Sequence, residues 1–163
     1  MNTLTKIIVH NDNRRVLHML NAPEKLHAII YRGFTPVSDS RILWKFKIVK
    51  NITIIYVVSD KTPDYDFILN EYDSTASIRT IGYDKFLSSI TNGKEYHFSL
   101  DCNPILNKKD DYKSRGKRVP LVGREARKWV IRELLKSGFA NVNLDDMHTE
   151  KTLNFHKKNS TVK

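Results

Sequence analysis

The chain has 163 residues, of which 40% are hydrophobic, and its 28 Lys and Arg outnumber 18 Asp and Glu, giving a net charge of +10. This length suffices for one ordinary domain or two small ones that fold without disulfides, and the single cysteine excludes an internal disulfide and fits a reducing compartment. Such a basic protein favours anionic partners, nucleic acid before a membrane surface.

The start of the chain, MNTLTKIIVH, is too short in apolar residues for a signal peptide. No apolar run approaches the ~20 residues of a membrane-spanning helix. The sequence therefore predicts a soluble, cytoplasmic protein with no membrane partner.

The first hundred residues predict alternating strands and helices, from hydrophobic periodicity and turn residues. The predicted elements are a strand at 4–10, a helix from Pro23 to Gly33, strands at 41–49 and 52–58 joined by a tight turn, a short helix opening at Thr62-Pro63-Asp64, another near 86–90, and a strand at 95–102.

The order strand, helix, strand, strand, helix, strand predicts an α+β, ferredoxin-like (RRM-like) domain over residues 1–104. Alternation in the strands places five apolar side chains toward its helices: Ile42, Trp44, Phe46, Phe98 and Leu100. A basic loop over 105–120, with a candidate strand at 117–121, would follow. Residues 121–163, with a helix at 124–136 ended by Ser137-Gly138, predict an incomplete second ferredoxin-like unit with a polar tail.

The basic loop is the first candidate for binding a polyanion. It concentrates six cations against Asp110 and Asp111, and three more recur every four residues along the next helix, which aligns them on one face. These predicted RNA-binding residues are Lys108, Lys109, Lys113, Arg115, Lys117 and Arg118 of the loop and Arg124, Lys128 and Arg132 of the helix. The pattern favours RNA or DNA binding over a merely solvated loop.

The six histidines form no recognisable metal-ligand spacing, and there is no Gly-rich phosphate loop or nucleophile elbow. We therefore expect no metal site and no cofactor. His27 differs from the other histidines because Glu24 and Tyr31 lie three residues before and four residues after it, on its side of the predicted helix. Such a histidine can move protons near neutral pH. The alternative is a boundary histidine with no role.

The chain contains, in a fixed order, the segments TLTKIIVHNDNRRVLHMLNAPEKLH, SRILWKFKIV, TIIYVVSDKTPDY, YDKFL, YHFSLDCNP and the GKRVPL loop before a helix. Together these segments resemble the CasE family, the repeat-cleaving endoribonucleases of type I-E CRISPR systems. Order and spacing are similar over residues 1 to about 145.

The resemblance implies two tandem ferredoxin-like folds and metal-independent cleavage of precursor CRISPR RNA on the 3′ side of a repeat hairpin, leaving a 2′,3′-cyclic phosphate. It implies that the protein then stays on the hairpin with other Cascade subunits. The family's catalytic histidine corresponds to His27, and Glu24 and Tyr31 are the other candidate catalytic residues.

The chain departs from the family pattern at two places. Glu24 occupies the position at which some family members carry a tyrosine. Tyr31 would therefore have to take over the role of that tyrosine. The family's C-terminal Gly-rich loop has no counterpart after Gly138. The departures leave open a truncated, non-catalytic module that binds the repeat RNA or Cascade subunits as an interfering mimic. A further alternative is an unrelated basic RNA-binding domain.

Overall fold

The computed structural model describes residues 1–34, 41–108 and 117–144. Contacts divide the chain into two compact units, with the boundary after Lys94. The first unit contains β1 (Thr3–His10), α1 (Arg14–Leu20), α2 (Pro23–Arg32), β2 (Leu43–Val49), β3 (Ile52–Ser59), α3 (Asp66–Glu71), β4 (Ser77–Gly82) and α4 (Asp84–Ser89). The second contains β5 (Ile105–Lys108), β6 (Lys117–Pro120) and α5 (Gly123–Lys136).

The sheet of the first unit has the strand order β2-β3-β1-β4, with every neighbouring pair antiparallel. This order follows from two strand–helix–strand crossovers that interleave, as in the ferredoxin-like βαββαβ arrangement. The α+β, ferredoxin-like prediction is therefore confirmed. Among the described residues, no helix is both long and apolar enough to span a membrane.

The fourth strand of the sheet is not the segment that the sequence predicted. Residues 95–102 form no strand, and Phe98 and Leu100 are 50% and 52% exposed instead of facing the helices. β4 takes this place, pairing with β1 and joining it through a hydrogen bond of 2.9 Å between the Thr5 and Thr80 hydroxyls. The domain boundaries near residues 104 and 120 stay predictions.

Two helices also differ from the prediction. α1 was not predicted from the sequence, but the Asn13 side chain accepts a hydrogen bond from the Arg15 N–H and caps it. α3 begins at Asp66 and not at Thr62-Pro63-Asp64, because the Asp64 carboxylate accepts the Asp66 N–H in a turn before the helix.

The core of the first unit lies between the helices and one face of the sheet. Alternate residues of β1 and β3 point into it, as the strand period requires. The helix α2 adds a stripe of residues spaced three and four apart. The buried apolar residues are Ile7, Val9, Val16, Met19, Leu26, Ile29, Ile30, Phe34, Ile42, Ile55, Val57, Tyr65 and Ile68.

The end of α2 is packed closely against a buried tyrosine. Tyr65 is 2% exposed, and its hydroxyl donates a hydrogen bond of 3.0 Å to the Ile30 carbonyl in the last turn. Its ring lies over Gly33. A Cβ added to Gly33 would lie 2.7 Å from the Cδ1 atom of the ring and even closer to the Cε1 atom. Only glycine fits at this position without moving the ring.

We expect Gly33→Ala to lower the free energy of unfolding by about 1–3 kcal/mol, because the extra methyl group forces the buried Tyr65 ring out of place. Urea denaturation followed by circular dichroism would measure the loss. Gly82→Ala is the matched control, since the added Cβ would meet only the mobile end of the Met1 side chain. Equal stability of the two variants would contradict this account.

Candidate active site and RNA-binding residues

His27 lies in the middle of α2, which begins at Pro23 because proline needs no hydrogen-bond acceptor at the first helical position. Leu26, Ile29 and Ile30 turn into the core and fix the rotation of the helix. This rotation leaves the His27 side chain exposed to solvent. An exposed imidazole on a helix anchored by buried neighbours is accessible to a large substrate and still held in place.

Two aromatic residues border the His27 ring. The Tyr31 ring, one helical turn further on, lies with its centroid 4.2 Å from that of His27 at an interplanar angle of 35°. The Trp44 ring of β2 lies 6.3 Å away. Both are half-buried and pack against the core, so they limit the orientations open to the imidazole.

Glu24 is exposed in the first turn of α2. No hydrogen bond or ion pair connects its carboxylate to His27, although both residues belong to the described part of the chain. Its negative charge interacts favourably with the positive end of the helix macrodipole at the N-terminus of α2. The structure thus brings Tyr31 to the His27 ring and leaves Glu24 apart from it.

Three of the predicted RNA-binding loop residues lie on the hairpin of β5 and β6. Lys108 is paired across the two strands with Lys117, and Arg118 with Asn107. All three cations are exposed. Like charges directly opposite each other are unfavourable unless an anion sits between or above them. Lys109, Lys113 and Arg115 lie outside the described residues.

The predicted cations of α5 are exposed along the helix, but two of them already have acidic partners. Lys128 Nζ lies 2.9 Å from Glu125 Oε1, and Arg132 Nε lies 3.0 Å from Glu133 Oε1. Hydrogen bonds from Lys136 and Arg132 lower the pKa of Glu133. Such exposed pairs are weak and screened by salt, so a phosphate can compete for the cations.

A second group of cations, which was not predicted from the sequence, lies on α1. Arg14, Arg15 and His18 line an open groove together with Glu71 and Tyr72. The Arg15 guanidinium donates to the Glu71 carbonyl at 3.0 Å, so one of the two arginines is already engaged. The sequence signal for this group is the Arg14-Arg15 pair.

Among residues 1–34, 41–108 and 117–144, no group of three or more His, Cys, Asp or Glu side chains is arranged to hold a metal ion. The groups of the candidate site that can transfer a proton are the imidazole of His27 and the phenol of Tyr31, whose rings are in contact.

The family model described as CRISPR associated protein matches residues 4–163. The chain belongs to this family. The family membership indicated by the ordered segments in the sequence is thereby confirmed. No curated protein is similar enough to this CRISPR-associated protein to count as a match.

Two solved structures of CRISPR endoribonuclease Cse3 bound to 19 nt RNA are similar to this CRISPR-associated protein. Structure A has a TM-score of 0.55 and 20% identity, covering 85% of this chain and 69% of the other. Structure B has a TM-score of 0.55 and 18% identity, covering 88% and 68%. At these identities the likeness establishes a common fold.

Proposed function

We propose that this CRISPR-associated protein is an endoribonuclease that binds the repeat hairpin of precursor CRISPR RNA, cuts it without a metal ion and remains bound as a Cascade subunit in the cytoplasm. The observation that carries the proposal is the exposed His27, anchored beside Tyr31 on a fold shared with Cse3 endoribonucleases. It stands at the position that resembles the family's catalytic histidine.

The reaction needs only proton transfer and charge stabilisation. The 2′-hydroxyl of one nucleotide attacks the adjacent phosphorus, and the bond from phosphorus to the 5′-oxygen of the next nucleotide breaks. The products are a 2′,3′-cyclic phosphate and a 5′-hydroxyl. The His27 imidazole either takes the hydroxyl proton or donates a proton to the leaving oxygen.

The other candidate residues have supporting roles in this proposal. Contact with the Tyr31 ring holds the imidazole plane, and the Tyr31 hydroxyl is a second proton donor. Lysine and arginine side chains stabilise the negative charge that develops on the phosphate oxygens. Glu24 has no hydrogen bond or ion pair to His27 and would act by adjusting charge at the helix N-terminus.

The test is incubation of the protein with labelled repeat RNA in EDTA, followed by separation of the products on a gel. We expect one cut on the 3′ side of the hairpin and a product that carries a 2′,3′-cyclic phosphate. Tight binding of the hairpin without any cut would support the non-catalytic binding module instead. Absence of both binding and cleavage would contradict the proposal.

RNA binding should weaken as salt increases, because each phosphate contact releases counterions. We expect combined substitution of Lys113, Arg115, Lys117 and Arg118 by alanine to reduce hairpin affinity and to flatten the slope of log K against log salt. Filter binding at several salt concentrations would measure both quantities.

The control for this experiment removes the same number of charges from exposed lysines of the first unit, outside the loop. The control residues are Lys47, Lys61, Lys85 and Lys94. Equal losses in the two variants would mean that net charge, and not the loop, determines affinity. If the loop variant keeps its affinity, the face of Arg124, Lys128 and Arg132 is the next candidate.

A further inference from the structure

The strand β2 carries aromatic residues that the core does not cover completely. Trp44 is paired with Val57 of β3, and Phe46 with Ile55. Val57 and Ile55 are 0% and 1% exposed, whereas Trp44 and Phe46 are only half-buried. Because β2 is at the edge of the sheet, its helix-facing aromatic rings are left partly open to solvent.

These rings continue the aromatic contacts of the candidate active site. The Trp44 and Phe46 centroids are 6.4 Å apart with an interplanar angle of 20°, and the Trp44 and His27 centroids are 6.3 Å apart. Because Tyr31 also contacts His27, four rings are linked by successive contacts, and we call them the aromatic row: Tyr31, His27, Trp44 and Phe46. All of them belong to the first unit.

Single-stranded RNA can bind to an open aromatic surface by stacking its bases, and this surface lies beside a candidate catalytic histidine. Unpaired bases stack on aromatic side chains, and this stacking is tolerant of base identity because every base has a π-face. Bases within a hairpin stem are already stacked on their neighbours. The first unpaired base beyond the stem is free to stack on the protein.

We propose that Trp44, supported by Phe46, is a positioning residue that stacks on the base of the nucleotide immediately 3′ of the scissile phosphate. This inference rests on the proposed function, because it takes His27 as the group at that phosphate. A single nucleotide joins its 5′-phosphate to its base, so one nucleotide can place the phosphate at His27 and the base at Trp44.

The position of that base matters for the chemistry. The nucleotide 3′ of the cut carries the leaving 5′-oxygen, which must lie in line with the attacking 2′-hydroxyl. A base fixed on the Trp44 ring restricts rotation about the phosphate and favours this alignment. Loss of the stack is therefore expected to lower the cleavage rate as well as the affinity.

The experiment combines a protein variant with a modified RNA. Trp44→Leu keeps an apolar side chain and removes the ring, and an abasic nucleotide 3′ of the cut removes the base but keeps the phosphate and the attacking hydroxyl. We expect each change alone to weaken binding by about tenfold, in line with the energy of one base–aromatic stack. Both changes together should cost no more than one of them.

A binding readout that does not depend on cleavage uses 2-aminopurine at the same nucleotide, in RNA with a 2′-deoxy group at the attacking position. We expect wild-type protein and Trp44→Phe to quench its fluorescence and Trp44→Leu to leave it unquenched. Phe86→Leu is the control, because Phe86 is 52% exposed and follows β4 at the opposite edge of the sheet from β2.

The outcomes separate this inference from the proposed function. Wild-type protein that cuts the intact repeat but tolerates the abasic nucleotide without loss would overturn the stacking role and leave His27 in place. Additive effects of Trp44→Leu and the abasic site would overturn it as well, since independent losses mean that the ring and the base do not meet. Wild-type protein that neither binds nor cuts the intact repeat would overturn the proposed function itself. The abasic experiment with wild-type protein stays informative even if Trp44→Leu unfolds.

Discussion

Replacing His27 by alanine is expected to lower repeat cleavage by roughly 10²- to 10⁴-fold, the usual contribution of a general acid or base. Hairpin affinity should stay nearly constant, because His27 is exposed and its removal leaves the buried stripe of α2 intact. Single-turnover rates and filter binding, both in EDTA, would separate the two effects.

The control for this prediction is His97→Ala, which removes an exposed histidine outside the aromatic row. Tyr31→Phe tests the neighbour, since it keeps the ring against the imidazole and removes only the hydroxyl. A His27→Ala variant that cuts at the wild-type rate would remove this residue from the mechanism. A variant whose cleavage rate still falls at both low and high pH, as in the wild type, would lead to the same conclusion.

Asp73→Asn is expected to lower the free energy of unfolding by about 2–3 kcal/mol at pH 7. Asp73 is 4% exposed, and burial alone would raise the pKa of its carboxyl. Hydrogen bonds from Thr75 and from the backbone and ring of His10 reverse this and lower the pKa to about 2. The ionised carboxylate is thus stabilised by the fold.

The dependence on pH follows from the direction of this shift. Because the folded-state pKa lies below the unfolded value near 3.9, the stabilisation is complete at neutral pH and is lost as the pH falls toward 2. Urea denaturation at pH 7, 5 and 3 should show that the difference in free energy of unfolding between wild type and Asp73→Asn decreases as the pH falls. Asp60→Asn, which alters an exposed carboxylate of the first unit, is the control. A constant difference at all three pH values would contradict the assignment.

The sequence predicted those elements whose apolar residues follow a clear period. β1, the hairpin of β2 and β3, and α5 all lie close to their predicted positions. β4 was missed because an edge strand needs few apolar residues, and Ile78 and Ile81 are the only large ones in it. Residues 95–102 alternate well but form no strand, because β1 obtains its second partner from β4.

The candidate site was predictable only where its residues are neighbours along one helix. The contact of His27 with Tyr31 follows from their spacing. The position of Trp44 beside His27 does not follow from spacing along the chain. It depends on the place of β2 at the edge of the sheet and on how far α2 covers this edge. The alternating pattern assigned Trp44 to the core, and the structure leaves it half-buried beside His27.

The central place of β1 in the sheet has a consequence for synthesis of the protein. β1 pairs with β3 on one side and β4 on the other, and its Thr3 lies opposite Gly82. β1 leaves the ribosome before β3 and β4, so one of its edges stays unpaired until Gly82 has left the exit tunnel. Initiation at an internal codon beyond His10 would yield a product whose β2–β3 hairpin and β4 share no strand between them. Such a product would present two unpaired edges to other chains and is expected to aggregate.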